Sequence, residues 1–288
     1  MGYCDDIQIL ANLISELQKL VDMCNEYSKK WLMKFNVNKS MVMNVGYKVL
    51  NNEQIKIKID NVLLPVVNEC KYLGLKIRED NEDDNFLMEK FRNIQKCAYS
   101  LNSYGLKPIG VNPEIKSFIY NTYCQPVGNY GLGILNLKKK TINQANIIQN
   151  NLIRYMMDIP YKSHIINLNK VLKIIDVETL NDLNICTIIK LLHRHDVTKE
   201  ILESNINAEN ENWWLYKDMR RISNNLNIDI EKEIYYPDKV RDMIRERYYS
   251  GSEVEINIRE EIDKLIKEYS FKNKKKLREL VKITWTDD

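Results

Sequence analysis

Apolar residues recur along this chain with mixed spacing at first and almost wholly helical spacing later. Ile7 to Ala11, directly after Tyr3-Cys4-Asp5-Asp6, is a short strand candidate. Leu17, Leu20, Val21, Cys24, Ser28, Trp31, Leu32 and Phe35 follow at helical intervals, which predicts one helix with a single buried stripe. Ser15 and Gln18 stand in the capping-box relation that would open it, each side chain satisfying a free amide. The period then drops to two. Ser40 to Val45 is a strand candidate, and Gln54 to Asp60 alternates Ile55, Ile57 and Ile59 with Lys56 and Lys58, as a strand with one wet face does. Asp60-Asn61 supplies a turn, Val62 to Val67 returns with Pro65 in a position suited to an edge, and Lys71 to Ile77 is one further strand.

Past the acidic stretch Glu79 to Asp84, which reads as a surface linker, helices dominate. Leu87, Phe91, Ile94, Ala98 and Leu101 mark one, closed near Gly105. Ile115, Phe118, Ile119, Tyr123 and Val127 mark a second, kinked by Pro126. Ile142, Ala145, Ile148, Leu152 and Tyr155 mark a third, stopped by Pro160; Val177, Leu180, Leu183, Ile188, Leu191 and Leu192 mark a fourth. The stretch 196–288 is polar and helical, with Trp213-Trp214 as its core anchor. The pattern predicts an α+β chain: antiparallel strands and a helix over 1–80, then helical segments over 81–160 and 161–288.

With 288 residues, 44% hydrophobic and 29% charged, the chain can bury one large core or two modest ones. No apolar run reaches the ~18 residues of a membrane span, and no basic-then-apolar leader opens the sequence. The 43 Lys+Arg against 40 Asp+Glu leave a net charge of +3, too even to coat a phosphate backbone throughout, though a local basic patch stays open. The six cysteines (4, 24, 70, 97, 124, 186) include no CxxC pair and read as small apolar residues in a reducing, intracellular compartment, cytoplasmic or nuclear. Nine Gly and six Pro favour long helices over a turn-rich sandwich. Alanine occurs only four times while Ile, Asn and Lys abound, which suggests an AT-rich gene and removes most structural meaning from the asparagines.

Candidate chemistry is sparse. Asp5-Asp6 at a strand mouth offers carboxylate oxygens suited to Mg²⁺, and two aspartate-held metals are a standard device for in-line phosphoryl transfer. Asp287-Asp288 reads as a solvated terminus. His193 and His195 are two apart on a helix, so they face different ways and do not form a chelating pair. Asn38-Lys39-Ser40 fits a glycosylation pattern, but nothing else suggests secretion. Lys272, Lys274, Lys275, Lys276 and Arg278 are five basic residues in seven, readable as a charged helix face or as a nucleic-acid or nuclear-import tail.

Order and spacing give these fragments a context. Tyr3-Cys4-Asp5-Asp6 followed by Ile-Gln-Ile-Leu-Ala resembles the Tyr-x-Asp-Asp hairpin of reverse transcriptases. The helix, then Phe35-Asn36-Val37-Asn38-Lys39-Ser40 and Cys70-Lys71-Tyr72-Leu73-Gly74, resembles the non-LTR (LINE-type) retrotransposon branch. Tyr120 to Val127 with Tyr130-Gly131, and Gln149 to Arg154 ending at Ile159-Pro160, resemble later helices of those enzymes. The resemblance spans roughly residues 1 to 195. It implies a partial right-hand polymerase palm (antiparallel strands plus a helix) followed by a mainly α-helical thumb and connector. Asp5 and Asp6 then match the metal-binding pair for Mg²⁺ or Mn²⁺, and Lys39 a proton donor toward the leaving pyrophosphate. Tyr72, Leu73 and Gly74 match a primer-grip hairpin. RNA template and DNA primer are the implied partners. Lys90, Arg92 and Lys96 on the polar side of the first thumb helix, and Lys138, Lys139 and Lys140 before the third, are the candidate nucleic-acid contacts.

The family's third palm aspartate, its triphosphate-holding fingers, its sugar-checking segment and the first strand of the hairpin itself find no match in the sequence, and no GxxxxGK[ST] or GxGxxG replaces them. The chain therefore reads as the C-terminal part of a longer ancestral enzyme, truncated and inactive alone. Its unpartnered apolar surfaces would promote self-association, with 84–195 better behaved by itself. The competing reading is a non-enzymatic helical module that binds nucleic acid or protein.

Overall fold

The computed structural model describes every residue except 1, 4, 46–53, 80–82, 107–109, 230–235, 252 and 268–288, and the side chains of Tyr3, Glu253 and Val254. The chain divides into two compact units, Met1–Glu82 and Asp83–Asp288, each with its own apolar core. Helix dominates, and among the described residues three short antiparallel strand pairs are confined to the first unit.

In the first unit, β1 (Gly2–Tyr3) pairs with β2 (Asp6–Ile7), Tyr3 opposite Asp6. Two expectations are corrected here. The strand anticipated over 7–11 ends at Ile7, and the partner strand thought missing is present in miniature. Ile7 and Leu10 stay exposed, and only Ile9 of this run packs against the unit's core. Helix α1 (Ile14–Lys30) forms where the spacing predicts one but stops at Lys30, so Trp31, Leu32 and Phe35 lie beyond it, and its inward face is narrower. Val21 and Ser28 are buried and Leu17 and Cys24 half-buried, whereas Leu20, Trp31 and Leu32 are exposed, Leu32 at 96%.

The capping box does not form, because Leu13 occupies the N-cap position without a side-chain bond. Gln18 is used elsewhere: its amide accepts from the Lys58 N–H (2.8 Å) and donates to the Lys58 carbonyl (2.9 Å). The side chain thus imitates a neighbouring strand and ties α1 to the hairpin of β3 (Lys58–Ile59) and β4 (Val62–Leu63). Ile59 faces Val62 across a two-residue turn, and Asp60 and Asn61 have φ of +48° and +66°. A type I′ hairpin turn demands two left-handed residues, and short polar Asx side chains tolerate that state best after glycine.

The period-2 reading of this region holds in burial, since Ile55, Ile57 and Ile59 are buried while Lys56 and Lys58 are exposed. These isoleucines, with Val21, Val42 and Leu64, make the unit's core. Ser40 to Val45 yields only a parallel bridge from Val42 to Val66, beside a bond from the Val42 N–H to the Pro65 carbonyl. The strand expected over 71–77 is instead a hairpin, β5 (Glu69–Tyr72) and β6 (Leu75–Arg78), folded at Leu73-Gly74. Both turn residues have positive φ (+47° and +80°), which ends any extended run.

The second unit begins with α2 (Asp84–Ser100), whose Leu87, Phe91, Ile94 and Ala98 are buried as predicted; a 3₁₀ turn (Leu101–Tyr104) then stops at left-handed Gly105. The next helical segment is α3 (Pro113–Ile119), a π turn (Tyr120–Cys124) and α4 (Gln125–Asn129). Pro126 accounts for the π turn: it lacks an N–H for the Thr122 carbonyl and its ring would clash there, so the turn before it widens.

The buried side of this segment is the reverse of the expected one. Lys116, Ser117, Tyr120, Cys124 and Gly128 face inward, while Ile115, Phe118, Tyr123 and Val127 are exposed. That inward face approaches α2 closely: a Cβ on Gly128 would lie 2.4 Å from Ile94 Cδ1, so a larger residue there would require the Ile94 side chain to shift.

Helix α5 (Lys139–Met157) ends at left-handed Asp158, two residues before Pro160, and buries Ile142, Ala145 and Leu152 but leaves Tyr155 exposed. After α6 (Ile166–Val171), α7 (Val177–Leu192) opens with Asp176 accepting from the Thr179 N–H, an N-cap bond. This helix serves two cores. Val177 and Leu180 belong to one with Leu87, Phe91, Leu152 and Leu168, so residues on either side of position 160 share it. Leu183, Ile185 and Ile189 belong to another with α8 (Asp196–Asn207), α9 (Trp214–Leu226) and α10 (Pro237–Tyr249), against which Trp213 and Trp214 pack. Helix α11 (Glu253–Lys267) returns Ile262 and Ile266 to the first core.

Candidate functional site

Asp5 lies in the turn of the β1–β2 hairpin and Asp6 opens β2, both exposed. The two-residue strands thus place both aspartates, in succession, at an exposed hairpin tip. Among the described residues no group of three or more His, Cys, Asp or Glu gathers where it would hold a metal ion. The donor set suits a Mg²⁺ that keeps most of its waters and borrows substrate phosphates, rather than a closed protein cage. Cys4 lies outside the described residues.

Lys39 ends a 3₁₀ turn (Val37–Lys39) and is exposed. Asn36 fixes that turn at both ends: its side chain accepts from the Asn38 N–H (3.2 Å), and its carbonyl accepts from Ser40 Oγ (3.0 Å). Tyr72, Leu73 and Gly74 form the tip of the β5–β6 hairpin, with Tyr72 opposite Leu75. Leucine at φ +47° is an outlier, because the left-handed state costs an ordinary side chain about 1–2 kcal/mol. Behind the tip, Glu69 pairs with Arg78 (3.8 Å) and Lys76 (3.9 Å) across the strands.

The six basic candidates separate. Lys90 is not on the polar side of α2, which corrects the expectation. It is 7% exposed, its ammonium donates to the Tyr130 carbonyl (2.7 Å), and it sits over the rings of Phe86 (4.7 Å) and Tyr130 (5.4 Å). Burial holds its pKa below the usual lysine value. The spacing carried the signal, since position 90 falls between Leu87 and Ile94 on the apolar stripe. Lys138 pairs with Asp84 (3.4 Å) and Lys139 with Glu178. Arg92, Lys96 and Lys140 are exposed and have no ion pair among the described residues.

Other polar groups serve the fold. Arg221 on α9 donates to Asp182 Oδ1 on α7 (2.6 Å) and to Asp218 Oδ1 (3.1 Å). Burial pushes the Asp182 carboxyl up while Arg221 pulls it down. Burial pushes the Cys124 and Cys186 thiols up to about 12, so both behave as small apolar residues. His193 and His195 end α7 and precede α8 respectively. The basic tail at 272–278 and Asp287-Asp288 lie outside the described residues.

What the sequence did not reveal is a tyrosine pair. Tyr99 of α2 and Tyr155 of α5 meet edge to face at 5.1 Å, and Asn102 Nδ2 donates to the Tyr155 hydroxyl (2.9 Å). Tyr155 does fall on the apolar spacing of its helix, but only the pairing of α2 with α5 brings it to Tyr99.

No helix among the described residues is long and apolar enough to cross a membrane. No family model and no solved structure matches the chain. Among curated proteins it is similar to a probable RNA-directed DNA polymerase from transposon BS of Drosophila melanogaster, 24% identical over 204 residues. That match covers 67% of this chain and 21% of the relative, so the chain spans about a fifth of that protein's length. The similarity supports a relationship to reverse transcriptases.

Proposed function

We propose that the chain is a segment of a retrotransposon reverse transcriptase in which the first unit carries part of the palm and the second the helical thumb and connector. The observation that carries this reading is the β1–β2 hairpin, which places the consecutive Asp5 and Asp6, both exposed, at its tip, in a chain with a transposon polymerase as distant relative. Asp5 and Asp6 would hold Mg²⁺ or Mn²⁺, and a metal there supplies charge stabilisation for in-line nucleotidyl transfer. Lys39 supplies a proton toward pyrophosphate, and the Tyr72-Leu73-Gly74 tip, lacking a Cβ at its last position, lets backbone approach a primer end. Arg92, Lys96 and Lys140 meet the phosphates of an RNA–DNA hybrid. With two carboxylates alone the chain binds metal weakly and does not polymerise by itself.

Titration of Mn²⁺ against the wild type and the Asp5→Asn/Asp6→Asn double variant tests the metal assignment. Weak binding that disappears in the double variant is expected. Equal binding by both proteins, or tight binding by the free chain, refutes it. Hybrid binding should fall with salt at a log–log slope of roughly 0.7 to 0.9 per phosphate contact. A flat salt response would instead favour a module that binds protein.

A further inference from the structure

Helices α2 and α5 run side by side in the same direction. At their starts the Lys138 N–H donates to Asp84 Oδ1 (3.1 Å); at their far ends Tyr99 meets Tyr155. Arg92, Lys96 and Tyr99 recur at four- and three-residue steps and therefore share one exposed face of α2. Lys140, Gln144, Ile147, Asn151 and Tyr155 share a face of α5 in the same way, over about 22 Å of helix. Cations without ion partners among the described residues thus lead along both helices to two rings that are 47% and 40% exposed. Buried apolar contact does not explain rings so open. Asn102 fixes one of them in place, and an edge-to-face pair leaves the face of one ring uncovered.

We propose that this α2–α5 face binds single-stranded nucleic acid, with Arg92, Lys96 and Lys140 along the phosphates and the Tyr99–Tyr155 pair stacking a base at its end. Every base has a π-face, so the platform is indifferent to sequence, and the cations make it sensitive to salt. A protein partner would fit the mixture less well, because cations stand beside the rings with no carboxylate between them on that stretch of α2. The inference rests on the reading that this face meets nucleic acid, and adds that it holds an unpaired strand as well as a duplex.

Fluorescence anisotropy of the full chain with a labelled single-stranded RNA and with an RNA–DNA hybrid tests it. Tyr99→Ala/Tyr155→Ala is expected to weaken the single strand about tenfold, the scale of one stacked base, and to leave the hybrid unchanged. Tyr99→Phe/Tyr155→Phe keeps both rings and should retain wild-type affinity; circular dichroism verifies that each variant is folded. Single-strand affinity unchanged in the alanine variant, equally lost in the phenylalanine variant, or absent from the wild type overturns the proposal. A wild type that binds neither strand nor hybrid defeats the reading beneath the inference, whereas hybrid binding that persists while the single strand is indifferent to Tyr99→Ala/Tyr155→Ala defeats the inference alone.

Discussion

The two units solve the same problem with different means. The second buries broad helical stripes in two apolar clusters bridged by α7, and its polar interior groups find partners such as the Asp182–Arg221 pair. The first relies, among the described residues, on six buried apolar side chains, two-residue strands and backbone clamps such as Gln18 on Lys58. It also exposes Leu13, Met23, Tyr27, Trp31 and Leu32. A unit that leaves so much apolar surface open draws little of its order from its own core. The difference teaches that the two aspartates of the proposed metal site stand on the less-buried scaffold, apart from the larger cores.

The sharpest break of this comparison is a pair of core truncations. Phe91→Ala should destabilise the second unit by about 3–5 kcal/mol, and Ile57→Ala the first by about 2–5 kcal/mol. Against so small a core the smaller loss should abolish hydrogen-exchange protection over 54–64, while Phe91→Ala only shifts the denaturant midpoint of the helical unit. Equal tolerance in both would erase the contrast. Next, the exposed stripe of α1 should drive association of the chain, read as concentration-dependent mass in sedimentation. Tyr27→Lys with Trp31→Lys should return it to monomer, and a monomeric wild type would remove the argument.

A smaller effect separates the units by pH. Burial lowers the pKa of Lys90, so between that value and 10.5 the unfolded chain binds the proton that the folded one releases. Stability from this group therefore rises with pH across that window. Lys90→Met lacks the gain, and the difference in unfolding free energy should shift toward the wild type as pH climbs. The smallest effect is at the β5–β6 tip. Leu73→Asn makes an Asn-Gly type I′ turn and should stabilise the hairpin by about 1 kcal/mol. If it does so while lowering hybrid affinity, the leucine is there for contact rather than for folding.

Much of this was legible in the residues. Helices α2, α5 and α7 are wide amphipathic stripes, and the alternation of Ile55, Ile57 and Ile59 translates directly into burial. Asp5-Asp6 stands out because a hairpin tip is a local feature. The inverted face of α3–α4 was hidden because the side that packs carries Lys116, Ser117 and Gly128, so apolar content does not mark it. Gln18 misled because its amide serves a strand 40 residues away as well as it would serve a helix end. The Tyr99–Tyr155 pair depends on two helices meeting, which no local spacing reveals.

The π turn at Tyr120–Cys124 has one last consequence. A helix that widens by one residue before a proline is, in effect, carrying an inserted residue. Deleting a single residue there would remove the residue that the wide turn accommodates, leaving the orientation of Gly128 unchanged but bringing the Pro126 ring against the carbonyl of the preceding turn. Deleting a residue of α3 or α4 outside that turn would instead rotate Gly128 away from Ile94 by about 100° and bring in a Cβ that Ile94 would have to move to admit. Length variation in this segment is thus limited on two sides, by the room the proline needs and by the place that glycine keeps against Ile94.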